Sequence, residues 1–388
     1  MVKCAITSVL LAIAVLVPAQ NGIKTGLDNL LEHPSAILKC GRVGVIVNQT
    51  SVTSDGVHLI DALIGRGVNI TAIFAPEHGF RGTADAGEHV SDSTDPVTGL
   101  PVISLYGKNK KPSPEQLAGV DLLLFDIQDV GARFYTYTST MYYAMQAAAE
   151  NGKKFVVLDR PNPNDYVDGP VIIPSQYSFV GTMPLPVMHG LTVGELARMI
   201  KGENWGNTAS LDLAVIPCSG WKHGDPYSLK IKPSPNLPDD RSIALYPSLC
   251  LFEGTMISVG RGTAYPFKVI GAPVKSLGNF TFTPEALPGF DKNPMYKGRV
   301  CYGEDLRDAV SPRGFTLEYI LRMYRLSGKG AEFFSSPSFF DRLSGDPSLR
   351  RDIISGKSEE EIRSGWNAGL SRYKAVRSKY LLYGDAVR

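Results

Sequence analysis

Glu77 stands in the segment Pro76-Glu-His-Gly-Phe-Arg-Gly82, directly after the apolar run Ile70–Ala75. Proline fixes the chain as it leaves that run, and Gly79 and Gly82 allow a tight loop with close backbone approach. A carboxyl held there, partly shielded from water, can serve as a general acid, with His78 beside it to orient or share the proton. A second polar cluster, Asp126-Ile-Gln-Asp-Val-Gly-Ala-Arg-Phe-Tyr-Thr-Tyr137, follows another apolar run. It offers Asp126 as a further candidate catalytic carboxylate and Gln128 and Asp129 as hydrogen-bonding groups. Arg133 suits an anion, and Tyr135 and Tyr137 present flat faces on which a sugar stacks. An ion pair between Asp129 and Arg133 that merely holds the loop is the plainer alternative. Asn48-Gln-Thr-Ser51 and Asp159-Arg160-Pro-Asn162-Pro163 close two more runs, so Asn48, Arg160 and Asn162 join the candidate substrate contacts. Downstream, Glu253 is either a second catalytic carboxylate or an ion-pair partner of Arg261, which sits between Gly260 and Gly262.

These clusters share one position relative to the elements that must hold them. Between Arg42 and Pro217 short β-branched runs alternate with amphipathic stretches, the pattern of a parallel sheet with crossover helices. Strands are predicted at 42–47, 70–75, 101–105, 121–125, 155–158 and 211–216. Helices are predicted at 57–67, from 114 to 117, at 138–150 and from Thr192, where Thr192-Val-Gly-Glu195 has capping-box spacing. In such a sheet ligands bind beyond the carboxyl ends of the strands, and that is where the polar residues gather. From Ser219 to Asp240 the composition turns to Gly, Pro, Lys and Asp. This marks the end of a Rossmann-like domain (20–220) and the start of a smaller α+β domain (221–388) that closes the cleft. Strands at 256–259 and 300–302 and helices at 315–325 and 359–376 are expected there. The fold class is therefore α/β, a mostly parallel doubly wound sheet with a second, smaller α+β domain.

Lys3 followed by the apolar stretch Ile6–Pro18 and a small residue at Ala19 reads as a signal peptide over 1–19, so the protein is expected outside the cytoplasm, periplasmic or secreted. The stretch is short for a membrane span, and no membrane association beyond the signal peptide is expected. The formal charge of +2 is spread without a basic run, which argues against nucleic acid as partner. Cys40, Cys218, Cys250 and Cys301 are widely spaced, with no C-x-x-C pair, and are expected as small buried residues. No cofactor and no metal site is expected, since no H-E-x-x-H or Walker sequence occurs. Gly190-Leu-Thr-Val-Gly194 imitates a nucleophile elbow but carries Thr where Ser is required.

The blocks Pro76–Gly82, Phe125–Tyr137, Leu158-Asp-Arg-Pro-Asn-Pro163, His189-Gly-Leu-Thr-Val-Gly-Glu195, Ser234-Pro-Asn-Leu-Pro238 and Glu253-Gly-Thr…Gly260-Arg-Gly-Thr263, in this order, resemble the bacterial exo-β-N-acetylmuramidase family of NamZ type. The resemblance implies a Rossmann-like first domain with an interdomain cleft. It implies release of N-acetylmuramic acid from the non-reducing end of peptidoglycan-derived muramyl saccharides, with Glu77 as the leading catalytic residue. Asp126 and Glu253 are nominated here for the second catalytic role. Ala264-Tyr265 stands where an acidic or polar residue is expected after Arg-Gly-Thr. The lactyl carboxylate of muramic acid would be met by Arg81, Arg133 or Arg261, because guanidinium binds a carboxylate through two parallel hydrogen bonds. A second carboxylate about 5–5.5 Å from the acid would be a nucleophile, and one at about 6.5–9.5 Å a base; the substrate's own acetamido oxygen is a third route. A metal-assisted amidase or esterase built on Glu77, His78, Asp126 and His189, and an exported sugar-binding protein, are the competing readings.

Overall fold

The computed structural model describes residues 22–33, 41–77, 79–80, 92–288, 290–310, 312 and 314–384. The candidates His78 and Arg81, Cys40 and the segment 1–19 lie outside the described residues.

The first sheet is built from β1 (Val43–Val47), β2 (Ile70–Ala75), β3 (Ser93–Thr94), β4 (Pro101–Ser104), β5 (Leu122–Asp126), β6 (Lys154–Leu158) and, after a short β7–β8 ladder (Val167–Asp168 with Met188–His189), β9 (Leu213–Ile216). Their order is β3-β4-β2-β1-β5-β6-β9, parallel throughout except for the two-residue β3. Counting only the parallel strands, this is the doubly wound order 3-2-1-4-5-6. Burial on both faces explains the near-continuous hydrophobic runs. Alternate residues serve different cores. Val45, Val47, Leu122 and Leu124 pack with Leu27 of α1 (Gly26–Glu32) and with Leu59 and Leu63 of α2 (Leu59–Ile64). Ile46, Leu123, Phe125 and Val157 point the other way, to Met141 and Ala144 of α4 (Tyr137–Glu150) and Leu196 of α5 (Val193–Gly202). A four-residue α3 (Pro114–Leu117) carries its own capping box, and Thr192 caps α5 as its spacing requires.

The second core is not separate. The α4–α5 face continues without a break into Leu249, Phe252, Phe267, Leu317 and Phe340 of the C-terminal half. There α6 (Asp240–Leu249) starts on an Asp239 capping box and runs into a 3₁₀ turn, Cys250–Gly254. This half also holds a three-stranded antiparallel sheet, β10 (Val269–Ala272), β12 (Cys301–Asp305) and β11 (Phe280–Phe282), followed in the chain by α7 (Glu318–Ser327), α8 (Pro337–Ser344), α9 (Ser348–Ile354), α10 (Glu359–Ser364) and α11 (Asn367–Arg377). Two expectations need correction. Residues 256–259 form no strand, because only Ser258 bridges to Gly271. The helix expected at 359–376 is two helices separated at Gly365-Trp366.

The chain then returns to the first domain. Tyr373 donates to the His189 carbonyl (2.7 Å), Arg377 to the Gly190 carbonyl (2.7 Å), and Tyr383 to the Asp159 carboxylate (2.6 Å).

Candidate active site

A cleft of about 720 Å³ opens between the carboxyl ends of the parallel strands and the C-terminal half, with Glu77 and Glu253 both in its lining. Glu77 follows β2 in a turn closed by a hydrogen bond from the Gly79 N–H to the Pro76 carbonyl (3.0 Å). Gly79 holds φ at +73°, where a side chain would be strained. One Glu77 oxygen accepts from the Thr136 hydroxyl (2.8 Å), and the Tyr137 hydroxyl approaches the Glu77 carbonyl (3.4 Å). Thr136 is the N-cap of α4 yet makes no capping hydrogen bond, because its hydroxyl is turned to the carboxylate. The positive end of a fourteen-residue helix therefore faces Glu77. Tyr106, two residues beyond β4, also bonds the Glu77 side chain. Burial first, then that carboxylate, raises the Tyr106 phenol above its ordinary value, and burial followed by Glu77 does the same to Tyr137. Both phenols thus stay protonated and available as donors.

Glu253 comes from the 3₁₀ turn behind α6. Arg261 places Nε (3.1 Å) and an Nη (2.6 Å) on the same oxygen, Oε1, and stacks over the Phe267 ring at 5.2 Å. Burial opposes the Arg261 charge, but the Glu253 carboxylate outweighs it and holds the guanidinium well above its ordinary value. The ion pair foreseen as an alternative for Glu253 exists, and both partners nevertheless line the cleft. Aromatic walls complete it: Tyr135 meets Tyr137 edge to face at 4.9 Å, and Tyr246 meets Phe267 the same way at 5.0 Å. Cys250 also reaches the cleft, but burial pushes its thiol well above the ordinary value, which removes it as a nucleophile. The arrangement is two carboxylates of separate origin in the lining of one aromatic-walled cavity large enough for a sugar.

Comparison with known proteins fixes the lineage. The family model for the N-terminal domain of the exo-β-N-acetylmuramidase NamZ matches residues 43–241, and that for its C-terminal domain matches 244–383. The chain belongs to the NamZ family. It is 42% identical over 385 residues to the peptidoglycan β-N-acetylmuramidase NamZ of Bacillus subtilis (strain 168), spanning 93% of this chain and 91% of that one. Two crystal structures of DUF1343 family proteins from Bacteroides fragilis NCTC 9343 share the fold. One superposes with a TM-score of 0.85 at 42% identity, covering 94% of this chain and 99% of its own. The other gives 0.82 at 32% identity, with 93% and 99% covered.

In this NamZ-family chain the other candidates among the described residues hold the cleft rather than line it. Asp126 is fully buried and takes a two-point ion pair from Arg160 (2.5 and 2.9 Å). Burial opposes the Arg160 charge, but Asp126 outweighs it and keeps the guanidinium above its ordinary value. A carboxylate so engaged and out of reach of the cleft is not placed for catalysis, and Arg160 is not placed for substrate. Asn48 folds onto the Thr50 N–H and hydroxyl, and Gln128 donates to the Asp129 and Pro161 carbonyls. Asn162 donates to the Leu191 carbonyl and packs where a side chain on Gly131 (φ +76°) would lie. Asp129 does not pair with Arg133. It accepts from the Gly131 N–H and from His189 Nε2 (3.1 Å), whose Nδ1 in turn accepts from the Leu191 N–H. Arg133 is 1% exposed and donates to the Pro170, Leu185 and Leu343 carbonyls; burial pushes it down to about 9. It clamps a cleft wall and reaches no ligand. Among the described residues no three His, Cys, Asp or Glu side chains converge as a metal site.

Tyr106, Thr136, Lys110 and Arg342 also line the cleft and are not among the residues singled out from sequence. Tyr106 was within reach: it is the first residue beyond a predicted strand, the position that singled out the other loops. Thr136 lay inside a nominated loop but was overlooked between two tyrosines. Nothing local marks Arg342.

Proposed function

We propose that this NamZ-family chain is an exo-acting glycoside hydrolase that releases N-acetylmuramic acid from the non-reducing end of peptidoglycan fragments. The observation that carries the reading is the convergence of Glu77 and Glu253 on one cleft walled by tyrosines. Breaking a glycosidic bond requires a carboxyl to act at the leaving oxygen and a second group to meet the developing positive charge at the anomeric carbon. Glu77, fixed by Thr136 and Tyr106 at the head of α4, is assigned the leading catalytic role. Glu253, with Oε1 engaged by Arg261, is assigned the second. The B. subtilis relative is named for the same bond in peptidoglycan. The cleft is bounded by the loops after β2, β4 and β5 on one side and by α8 on the other, which suits the terminal sugar of a chain. Lys3 and the apolar stretch that follows support export, with work in the periplasm or outside the cell.

The test is product analysis on saccharides of defined ends. Fragments with N-acetylmuramic acid at the non-reducing end should release that monosaccharide. The same fragments capped there by N-acetylglucosamine should stay intact. Cleavage of both sets at internal bonds would replace the exo reading with an endo-acting one.

A further inference from the structure

The arginines that the sequence offered for a substrate carboxylate do not serve that purpose where the structure describes them. Arg133 is sealed among backbone carbonyls and Arg261 is closed on Glu253. The cleft nevertheless holds two other cations. Arg342, in the last turn of α8, is exposed and makes neither an ion pair nor a hydrogen bond among the described residues. Its neighbour Asp341 is turned to Arg350, with two contacts of 2.8 Å, and so cannot neutralise it. Lys110, from the loop after β4, lies over the Phe179 ring at 4.7 Å and has no carboxylate partner among the described residues.

Both cations stand at the same end of the cleft. Phe179 carries Lys110 on its ring and touches the Tyr106 ring at 6.2 Å, and Tyr106 in turn bonds Glu77. On the α8 side, Leu343 is pinned through its carbonyl to Arg133 (2.6 Å), and Gly345 accepts from the Ile173 N–H (2.9 Å). These contacts bring the turn carrying Arg342 against the 172–181 segment that holds Phe179. Of the other charges of the cleft, Glu253 is paired with Arg261, and Asp291 accepts from the Asn293 N–H (2.9 Å). A planar guanidinium without a partner among the described residues, sharing the cleft with an ammonium that the Phe179 and Tyr106 rings link to Glu77, is a receptor for an anionic planar group on the substrate.

We infer that Arg342, assisted by Lys110, forms a carboxylate-binding subsite that selects sugars bearing an acidic ether substituent over their neutral counterparts. This rests on the muramidase reading, in which the acidic group is the lactyl carboxylate.

The experiment compares a chromogenic β-N-acetylmuramide with the same glycoside carrying its lactyl group as a primary amide, across wild type, Arg342→Gln, Arg342→Lys, Lys110→Gln and the double variant Arg342→Gln with Lys110→Gln. The acid-to-amide ratio of kcat/KM should fall about ten- to hundredfold in Arg342→Gln, as expected for loss of a charged hydrogen-bond pair, and through KM rather than kcat. Lys110→Gln should lower the ratio less, and Arg342→Lys should recover part of it. A ratio in Arg342→Gln and in the double variant equal to that of wild type overturns the subsite, because a merely structural arginine would affect acid and amide alike. If wild type turns over neither glycoside, the muramidase reading fails separately. Calorimetric titration with N-acetylmuramic acid and its lactyl amide then decides the subsite by the same ratio, now of Kd values.

Discussion

The Thr136 hydroxyl has a choice between the open N–H groups of α4 and the Glu77 carboxylate, and it takes the carboxylate. The consequence at the scale of one residue is a test that separates positioning from folding. Thr136→Val should lower kcat about tenfold, the cost of one charge-assisted hydrogen bond, while the midpoint of thermal unfolding stays within a degree or two. Thr136→Ser should restore most of the rate. A loss of stability of about 1 kcal/mol would instead mark Thr136 as a cap. Legibility differed sharply at this scale. Glu77, Glu253, Arg261, Tyr135 and Tyr137 were named from sequence and stand in the cleft. Asp126, Asn48, Gln128, Asp129, Arg133, Arg160 and Asn162 were named on the same grounds and do not. All follow strands at the functional edge of the sheet, where residues that contact a ligand and residues that brace the loops have the same chemistry. Only the partners distinguish them, and those come from far along the chain, as with Asp126 and Arg160.

The strands buried on both faces declared themselves in the sequence because nearly every residue in them is apolar. The predicted ranges of β2 and α3 coincide with those observed, β1 and β6 differ by one residue at one end, and β5 is shifted by one residue. The antiparallel strands β10 and β11 and the helices α6, α8 and α9 escaped. They are short, and their hydrophobic residues are collected into a core shared with the first domain rather than one of their own. Arg133 shows what holds that shared core at the cleft wall. Its guanidinium joins the Pro170 and Leu185 carbonyls of the first half to the Leu343 carbonyl of α8. Replacing it with Met relieves a buried charge but leaves the Pro170 and Leu343 carbonyls without that donor, while the Leu185 carbonyl keeps the Ile172 N–H (3.1 Å), and the loss of donors is the larger effect. Arg133→Met should lower the free energy of unfolding by about 2–3 kcal/mol in urea titrations. No change would mean that the carbonyls find water and that the clamp is not needed.

At the scale of the whole molecule, the polar counterpart of the shared core is a buried network near the chain's end. His223 bridges Asp165 (2.8 Å) and Glu195 (2.9 Å), and Glu195 also accepts from the Leu382 N–H. Burial opposes the imidazolium, but its hydrogen bonds to the two carboxylates prevail and hold it at about 9. The folded value is raised above an unfolded one of about 6.5, so the stabilisation is complete below about pH 6.5 and is lost as pH rises through about 9. Its amplitude is on the order of 3 kcal/mol. Unfolding free energies measured from pH 6 to 10 should decline across that window, and His223→Gln should flatten the decline. An equal slope in the variant would exclude His223 as its source. The return of α11 and Tyr383 onto the first domain, which no local pattern announced, also argues for one cooperative unit. Calorimetry should give a single unfolding transition, whereas two resolved transitions would show that the halves unfold separately.

The measurement that bears most directly on the central claim is hydrolysis of a chromogenic β-N-acetylmuramide, beside the matching glucosaminide, by wild type and Glu77→Gln. Wild type should cleave the muramide and leave the glucosaminide. The variant, with an unchanged circular dichroism spectrum, should lose about three orders of magnitude or more in kcat. Full activity in a folded Glu77→Gln enzyme would contradict the assignment of Glu77, and indifference of wild type to the lactyl group would contradict the substrate.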